Sequence, residues 1–338
     1  MYESFYGLTG KPFQLNPDPA FYFGSRGHKR AFAYLQYGVY QSEGFIVITG
    51  EVGAGKTTLV RSLFEQLDRS RLVAAQLVST QLDADDMLRS VAVAFGLPAK
   101  TLDKASLLAS LEAFLCKLAV EGRRALLVVD EAQNLTPRAI EELRMLSNFQ
   151  LGEQALLQSF LIGQPQLREM MQGPDMQQLR QRVIASYHLG PMDKADTQSY
   201  VEHRLAHVGW NGDPAFDAST FDAIHARSGG IPRRVNTLCN RLLLAGYLGE
   251  KHALTAEDVE SIAHEIREEL GPQDPMPGVN GYARPAATAN GTATTIDHLR
   301  DIEDRIARLE KTVGGAVDLL HRLLHPDASD PSKRPASH

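Results

Sequence analysis

Gly50, Glu51, Val52, Gly53, Ala54, Gly55, Lys56, Thr57 and Thr58 have the types and spacing of a loop that wraps phosphate. Gly50, Gly53 and Gly55 let the backbone turn tightly, so that its N–H groups converge on phosphate oxygens. A helix starting near Lys56 adds its positive N-terminal end to the same place. Lys56 is then expected to reach the β- and γ-phosphates, and the Thr57 hydroxyl to ligate Mg²⁺. The apolar run Phe45–Thr49 directly before supplies the strand that such a loop requires, which separates it from an ordinary glycine-rich turn. The pattern implies a nucleoside triphosphate ligand.

A second constellation turns binding toward chemistry. Ala125-Leu-Leu-Val-Val-Asp130-Glu131 reads as a buried strand ending in two carboxylates. Asp130 at the strand end can hold Mg²⁺ through its waters. Glu131, expected on the opposite side of the pleat, can activate an attacking water. The second carboxylate favours hydrolysis over transfer to a small molecule. Gln164 follows the strand ending at Gly163, from where it can reach the γ-phosphate or the water, or simply open a loop before Pro165. Arg180 and Arg182 precede the last strand, and Arg233 and Arg234 open a helix after Gly229-Gly-Ile-Pro232. Phosphoryl transfer needs cations on its equatorial oxygens, and these can come from another subunit.

The elements that must position these residues alternate strand and helix, the pattern of a parallel sheet covered by helices. Strands are expected at Phe45–Thr49, Leu72–Val78, Ala125–Asp130, Gln158–Gly163 and Ala185–Leu189. Helices are expected near Lys56–Leu67, Ala84–Phe95, Lys104–Ala119 and Pro137–Ser147, with an amphipathic one before the first strand, near His28–Gln41. From about Asp193 the apolar spacing is helical only, giving four helices in a small all-helical domain over 193–270 after an α/β domain over 1–192. Residues 271–295 carry four Pro and four Gly and read as a flexible linker. Leu299, Ile302, Ile306, Leu309, Val313, Ala316, Leu320 and Leu323 then keep 3-4 spacing across 296–325. That stretch is a short coiled coil, a partner-docking helix or a solitary amphipathic helix, with Gly314-Gly315 interrupting it. The tail over 326–338 reads as disordered.

Composition narrows the classes. The net charge is −6, which gives no global reason to hold nucleic acid. The two cysteines, Cys116 and Cys239, sit inside apolar helical patterns and read as small buried hydrophobes. No secretory signal and no run of 18 apolar residues is present, so a cytoplasmic protein without a membrane span is expected.

The phosphate loop, Asp130-Glu131-Ala-Gln133, Gln164, Leu-Arg180-Gln-Arg182 and Gly-Ile-Pro-Arg233 stand in the order found in AAA+ ATPases. The chain resembles the general secretion pathway component A type in its opening Tyr2-Glu-Ser-Phe-Tyr-Gly-Leu, Pro12-Phe and Pro17-Asp-Pro19 blocks. The ATPases associated with exosortase/PEP-CTERM systems, linked to exopolysaccharide production, are its nearest likeness. The resemblance covers about residues 1–268. It implies ATP as the nucleotide, Gln164 as the sensor-1 residue and Arg233 as a sensor-2 arginine on the γ-phosphate. It also implies Arg182, or else Arg180, as an arginine finger completing a neighbour's site in a homo-oligomer. The segment before Phe45 would help hold adenine, and the phosphate-loop strand would be central in the sheet. Better-known members of that type continue into a transmembrane helix and a cell-wall-binding domain. Neither is recognised here, so a protein partner on the C-terminal helix is expected, with any place at the inner membrane's inner face coming through that partner.

Three functions fit these residues. One is an ATPase driving assembly or regulation of an envelope secretion, protein-sorting or exopolysaccharide export system. Another is a DNA-transaction ATPase of the transposition-target or initiator type, against which the acidic balance and the lack of a winged-helix or zinc module argue. The third is a nucleotide-gated scaffold that turns over slowly.

Overall fold

A computed structural model describes residues 1–16, 18–78, 83–99 and 102–270. Five strands form one parallel sheet: β1 (Phe45–Gly50), β2 (Leu72–Val78), β3 (Arg124–Asp130), β4 (Leu157–Gly163) and β5 (Val183–Leu189). Their spatial order is β2-β3-β4-β1-β5. The phosphate-loop strand is therefore an inner strand beside the β5 edge, while the middle position belongs to β4. This corrects the expected central placement. Strand neighbours are chosen by helical crossovers, which local sequence does not encode.

Because helices cover both faces, the inner strands are apolar on both sides, and every residue of β1 and β4 is buried. Alternate side chains feed two cores. Phe45 and Val47 of β1 join Leu127, Val129 and Leu161 under α3 (Ala84–Ala94), α4 (Lys104–Val120), α5 (Pro137–Leu146) and α6 (Pro165–Gln172). Ile46 and Ile48 join Val128, Phe160 and Ile162 on the other face, under α1 (Arg26–Gln41) and α2 (Lys56–Gln66). Helix α6 is an element that sequence periodicity does not announce, since only Leu167 and Met171 of its eight residues are buried.

Four longer helices follow: α7 (Lys194–His207), α8 (Ala218–Ser228), α9 (Pro232–Leu248) and α10 (Ala256–Leu270). Their starts are set by local chemistry. Asp193 accepts from the Asp196 N–H at 2.8 Å and Asp217 from the Thr220 N–H at 2.7 Å, satisfying donors that a helix start leaves without partners. This C-terminal helical region, hereafter the lid, is not wholly helical, because Ala215–Phe216 pairs in parallel with Ala253–Leu254. Two residues are too few for a period-2 pattern to register.

The chain's first residues depart from the expected boundary at 192. Tyr2, Tyr6, Leu8 and Phe13 pack in the lid core with Tyr200, Leu205 and Leu242. The Tyr2 hydroxyl donates to Asn240 Oδ1 at 2.8 Å and the Tyr6 hydroxyl to the Lys251 carbonyl at 3.0 Å. An N-terminal strap thus belongs to the lid by packing, although α1 and β1 that follow it belong to the sheet domain. Cys239 is buried in the lid core and Cys116 is half-buried in α4, both as free thiols. Among the described residues no helix is long and apolar enough to cross a membrane. The expected linker (271–295), C-terminal helix (296–325) and tail (326–338) lie outside the described residues.

Candidate functional site

A cavity of about 310 Å³ opens between the phosphate loop, the N-terminal strap and the lid. The loop contributes Val52, Gly53, Gly55, Lys56, Thr57 and Thr58, and the end of β3 contributes Glu131. The lid contributes Tyr200, Arg204, Arg233 and Asn236. Residues of the segment before β1, among them Leu15, Phe21, Tyr22, Phe23 and His28, complete the wall. Its volume lies at the lower end of the range for small-ligand sites.

Gly53 and Gly55 have φ of +80° and +95°, backbone that side-chain-bearing residues rarely adopt. A Cβ on Gly55 would also sit 2.7 Å from His28 Nε2. Helix α2 starts immediately after, at Lys56, with its N-terminal N–H groups toward the loop. The Lys56 ammonium is buried and donates to the carbonyls of Gly50 (2.7 Å) and Glu51 (2.9 Å). Burial lowers its pKa, against the opposing pull of Glu131, Asp130 and Glu51. Gly50 and Glu51 thus serve Lys56 through their carbonyls, and Ala54 accepts from His28 Nε2 at 3.0 Å, rather than lining the cavity.

The Thr57 hydroxyl donates to Asp130 Oδ2 at 3.0 Å, so the two expected metal-holding side chains meet. Both offer hard oxygen donors, the chemistry that suits Mg²⁺ with its remaining waters and phosphate oxygens. Burial raises the Asp130 pKa, while the Thr57 hydrogen bond and the Lys56 charge pull it down. A cation beside a buried carboxylate relieves that desolvation, so these residues fit the ion.

Glu131 corrects the expectation from the pleat. Strand β3 ends at Asp130, and Glu131 adopts left-handed backbone (φ 54°, ψ 39°) before a turn at Ala132–Asn134. The turn, rather than strand alternation, aims its carboxylate. Glu131 Oε2 accepts from Gln133 Nε2 at 2.6 Å and from Gln164 Nε2 at 2.9 Å. Gln164 therefore reaches Glu131 and is not on the cavity wall, a position that neither sequence alternative foresaw. Gln133 is a site residue that sequence reasoning missed; its place in Asp130-Glu131-Ala-Gln133 was the available signal.

The arginines divide. Arg233 lines the cavity, and its backbone N–H donates to the Gly53 carbonyl at 3.1 Å. Arg182 is half-buried and donates from Nη1 to the Ser147 carbonyl (3.2 Å) and hydroxyl (3.0 Å). Arg180 is exposed and donates to the carbonyls of Met171 (2.5 Å) and Gly173 (2.6 Å). Neither Arg180 nor Arg182 is among the residues lining this chain's own cavity.

Comparisons with known proteins bear on the fold and on sequence similarity. Residues 39–171 match the AAA domain family. Over 268 residues the chain is 38% identical to General secretion pathway protein A of Aeromonas hydrophila, covering 79% of this chain and 48% of that protein. The chain thus spans about half the length of the curated relative it matches. Among solved structures it superimposes on the Aeropyrum pernix ORC2 protein in its ADP form, with TM-score 0.56 and 17% identity, over 77% of this chain and 73% of that one. It superimposes similarly on Cdc6p from Pyrobaculum aerophilum, with TM-score 0.54 and 16% identity, over 78% and 71%. At such identities these two speak for the fold alone. The chain has the P-loop NTPase fold of AAA type, a five-stranded parallel sheet between helices with a helical C-terminal region, and is similar in sequence to a general secretion pathway A protein.

Proposed function

We propose that this chain is an ATPase that binds ATP with Mg²⁺ and hydrolyses it. The observation that carries the reading is the convergence of Lys56, the Thr57–Asp130 pair and a tethered Glu131 around one cavity. Lys56 exchanges its two carbonyl acceptors for phosphate oxygens when nucleotide enters. Thr57 and Asp130 would hold Mg²⁺, which would supply positive charge to the phosphate oxygens. Glu131 takes a proton from water as the water oxygen bonds the γ-phosphorus and the bond to the β–γ bridging oxygen breaks, leaving ADP and phosphate. Arg233 brings a cation from the lid to the same end of the cavity. Arg182, with Arg180 as the exposed alternative, supplies the finger to a neighbouring copy in a homo-oligomer; each must first leave its carbonyl acceptors.

The use of the energy is inferred from the similarity to a general secretion pathway A protein: assembly or regulation of an envelope secretion system, on the cytoplasmic side. The narrower exosortase/PEP-CTERM or exopolysaccharide setting rests on family likeness alone, with residues 296–325 as the segment that meets a protein partner.

The test is turnover by purified protein beside Glu131→Gln. The variant should hold ATP as tightly as the parent and lose roughly 10²- to 10⁴-fold in kcat. Equal turnover in the two would remove Glu131 from its role. No turnover in the parent, with ATP bound, would favour a nucleotide-gated scaffold. Salt-sensitive, ATP-dependent binding to DNA would favour the DNA-transaction class instead.

A further inference from the structure

Gln133 sits in the turn after β3 with both ends of its side chain in use. Nε2 donates to Glu131 Oε2 at 2.6 Å, and Oε1 accepts from the Gln164 backbone N–H at 2.9 Å. Chemistry fixes this orientation of the amide. A carboxylate can only accept and a backbone N–H can only donate, so exchanging the amide's oxygen and nitrogen would break both bonds. The side chain also fits closely, because a Cβ on Gly163 would lie 2.8 Å from Gln133 Oε1. Ala132 beside it is fully buried and anchors the turn.

Gln164 closes the ring by donating from Nε2 to the same Glu131 oxygen at 2.9 Å. Two amides therefore hold Oε2, while among the described residues nothing donates to Oε1. One carboxylate oxygen is fixed by two bonds from different strand ends, β3 and β4. The other accepts from none of the described residues, on a residue that lines the cavity.

We propose that Gln133 is a positioning residue for hydrolysis: it locks the Glu131 carboxylate and the Gln164 sensor position into one rigid unit that presents Oε1 to the attacking water. This rests on the ATPase reading above and adds a residue to it. With Gln133 gone, Glu131 keeps a single bond about which its carboxylate swings, and the Gln164 N–H loses its acceptor. Binding is expected to survive, since the described hydrogen bonds of the Gln133 side chain run to Glu131 and Gln164 rather than to the phosphate loop. Misplacing a reacting group by about an ångström costs roughly 10²-fold in rate.

The experiment measures kcat, KM and ATP affinity for the parent, Gln133→Ala, Gln164→Ala and the double variant, together with thermal melting. Single-turnover rates are added for Glu131→Gln with and without Gln133→Ala. The expected result is a loss of roughly 10²-fold in kcat for Gln133→Ala with KM and affinity held within about twofold. The double variant should lose much less than the product of the single losses, because the residues act as one unit. Gln133→Ala should add nothing in the Glu131→Gln background. Parent-like turnover by Gln133→Ala overturns the proposal while leaving the ATPase reading intact. A parallel fall in melting temperature and affinity, with multiplicative losses, also overturns it by making Gln133 merely structural. Absence of turnover in the parent overturns the ATPase reading and this one with it.

Discussion

The Arg233 backbone N–H donates to the Gly53 carbonyl at 3.1 Å, so the first turn of lid helix α9 is bonded directly to the phosphate loop. Pro232 occupies the preceding position, where its missing N–H costs nothing, and Arg233 offers a donor that the helix itself cannot satisfy. The consequence is mechanical. A displacement of the loop by bound phosphate would reach the lid without an intervening side chain, and rigid-body rotation of a domain is one way to convert a ligand's state into motion.

This contact makes Gly53 a sensitive point. A Cβ built there lies 2.3 Å from Arg233 Cβ, and its φ of +80° disfavours any side chain. Gly53→Ala should push α9 away from the loop and cost about 1–2 kcal/mol in backbone strain alone. The expected outcome in calorimetric titration is an ATP affinity at least about tenfold weaker, since a 1.4 kcal/mol change is a factor of ten. Unchanged affinity would mean that the loop and lid part at no cost and that the contact does not couple them.

His28 gives a prediction in pH. The Ala54 carbonyl can only accept, so His28 Nε2 carries the proton, and Nδ1 accepts from the Ser25 hydroxyl at 2.7 Å. Burial lowers the His28 pKa from 6.5, outweighing the Ala54 hydrogen bond and the Asp196 charge that pull it up. The folded state therefore binds fewer protons than the unfolded one between that lowered value and 6.5. Its contribution is complete above 6.5 and is lost as pH falls through the folded-state value. The parent should melt at progressively lower temperature as pH falls from 6.5 toward that lowered value, and His28→Gln should show a flatter slope across the same window. His188, His203 and His225 are shifted in the same direction by burial, so the parent-minus-variant difference is the quantity to read. If the two acid limbs superimpose, His28 is not what links the loop to pH.

The loop, its strand and the Asp130–Glu131 pair were legible because each is contiguous in sequence and carries its own chemistry. Glycines at fixed offsets, a run of β-branched residues and a strand-end carboxylate need no knowledge of tertiary structure. The strand order was not legible, because β1 lies between β4 and β5 through pairings that reach Leu161 and Ser186 from Val47. Nor was the tie between Gln133 and Gln164, which joins the ends of two strands 31 positions apart. Glu131 could not be aimed from a pleat that had already ended. The strap was hidden most completely: Tyr2 and Asn240, 238 positions apart, exchange a hydrogen bond that no local pattern encodes.

Arg204 tests what holds that strap across the cavity. It is 6% exposed, and it donates from Nε to the Pro12 carbonyl at 2.6 Å, from Nη2 to the Gln14 carbonyl at 3.3 Å and from Nη1 to the Tyr200 hydroxyl at 2.9 Å. Its guanidinium lies 4.8 Å from the Phe21 ring centroid and 5.5 Å from that of Tyr200. Among the described ion pairs it has no carboxylate partner, so its buried charge is balanced by carbonyl dipoles and ring faces. A planar fork can serve three acceptors in different directions, whereas an ammonium at the same reach cannot. Arg204→Met keeps the apolar stem and removes the donors, leaving two carbonyls to find other partners. A loss of roughly 2–4 kcal/mol in stability is expected, from charged hydrogen bonds worth about 1.5–3 kcal/mol each that do not add fully. Limited proteolysis should then cut between Leu15 and Gly24 before any other described segment, and ATP affinity should fall with the wall those residues supply. Arg204→Lys should recover only part of the stability. Full recovery by lysine would show that charge alone holds the strap, and that the geometry of the guanidinium does not.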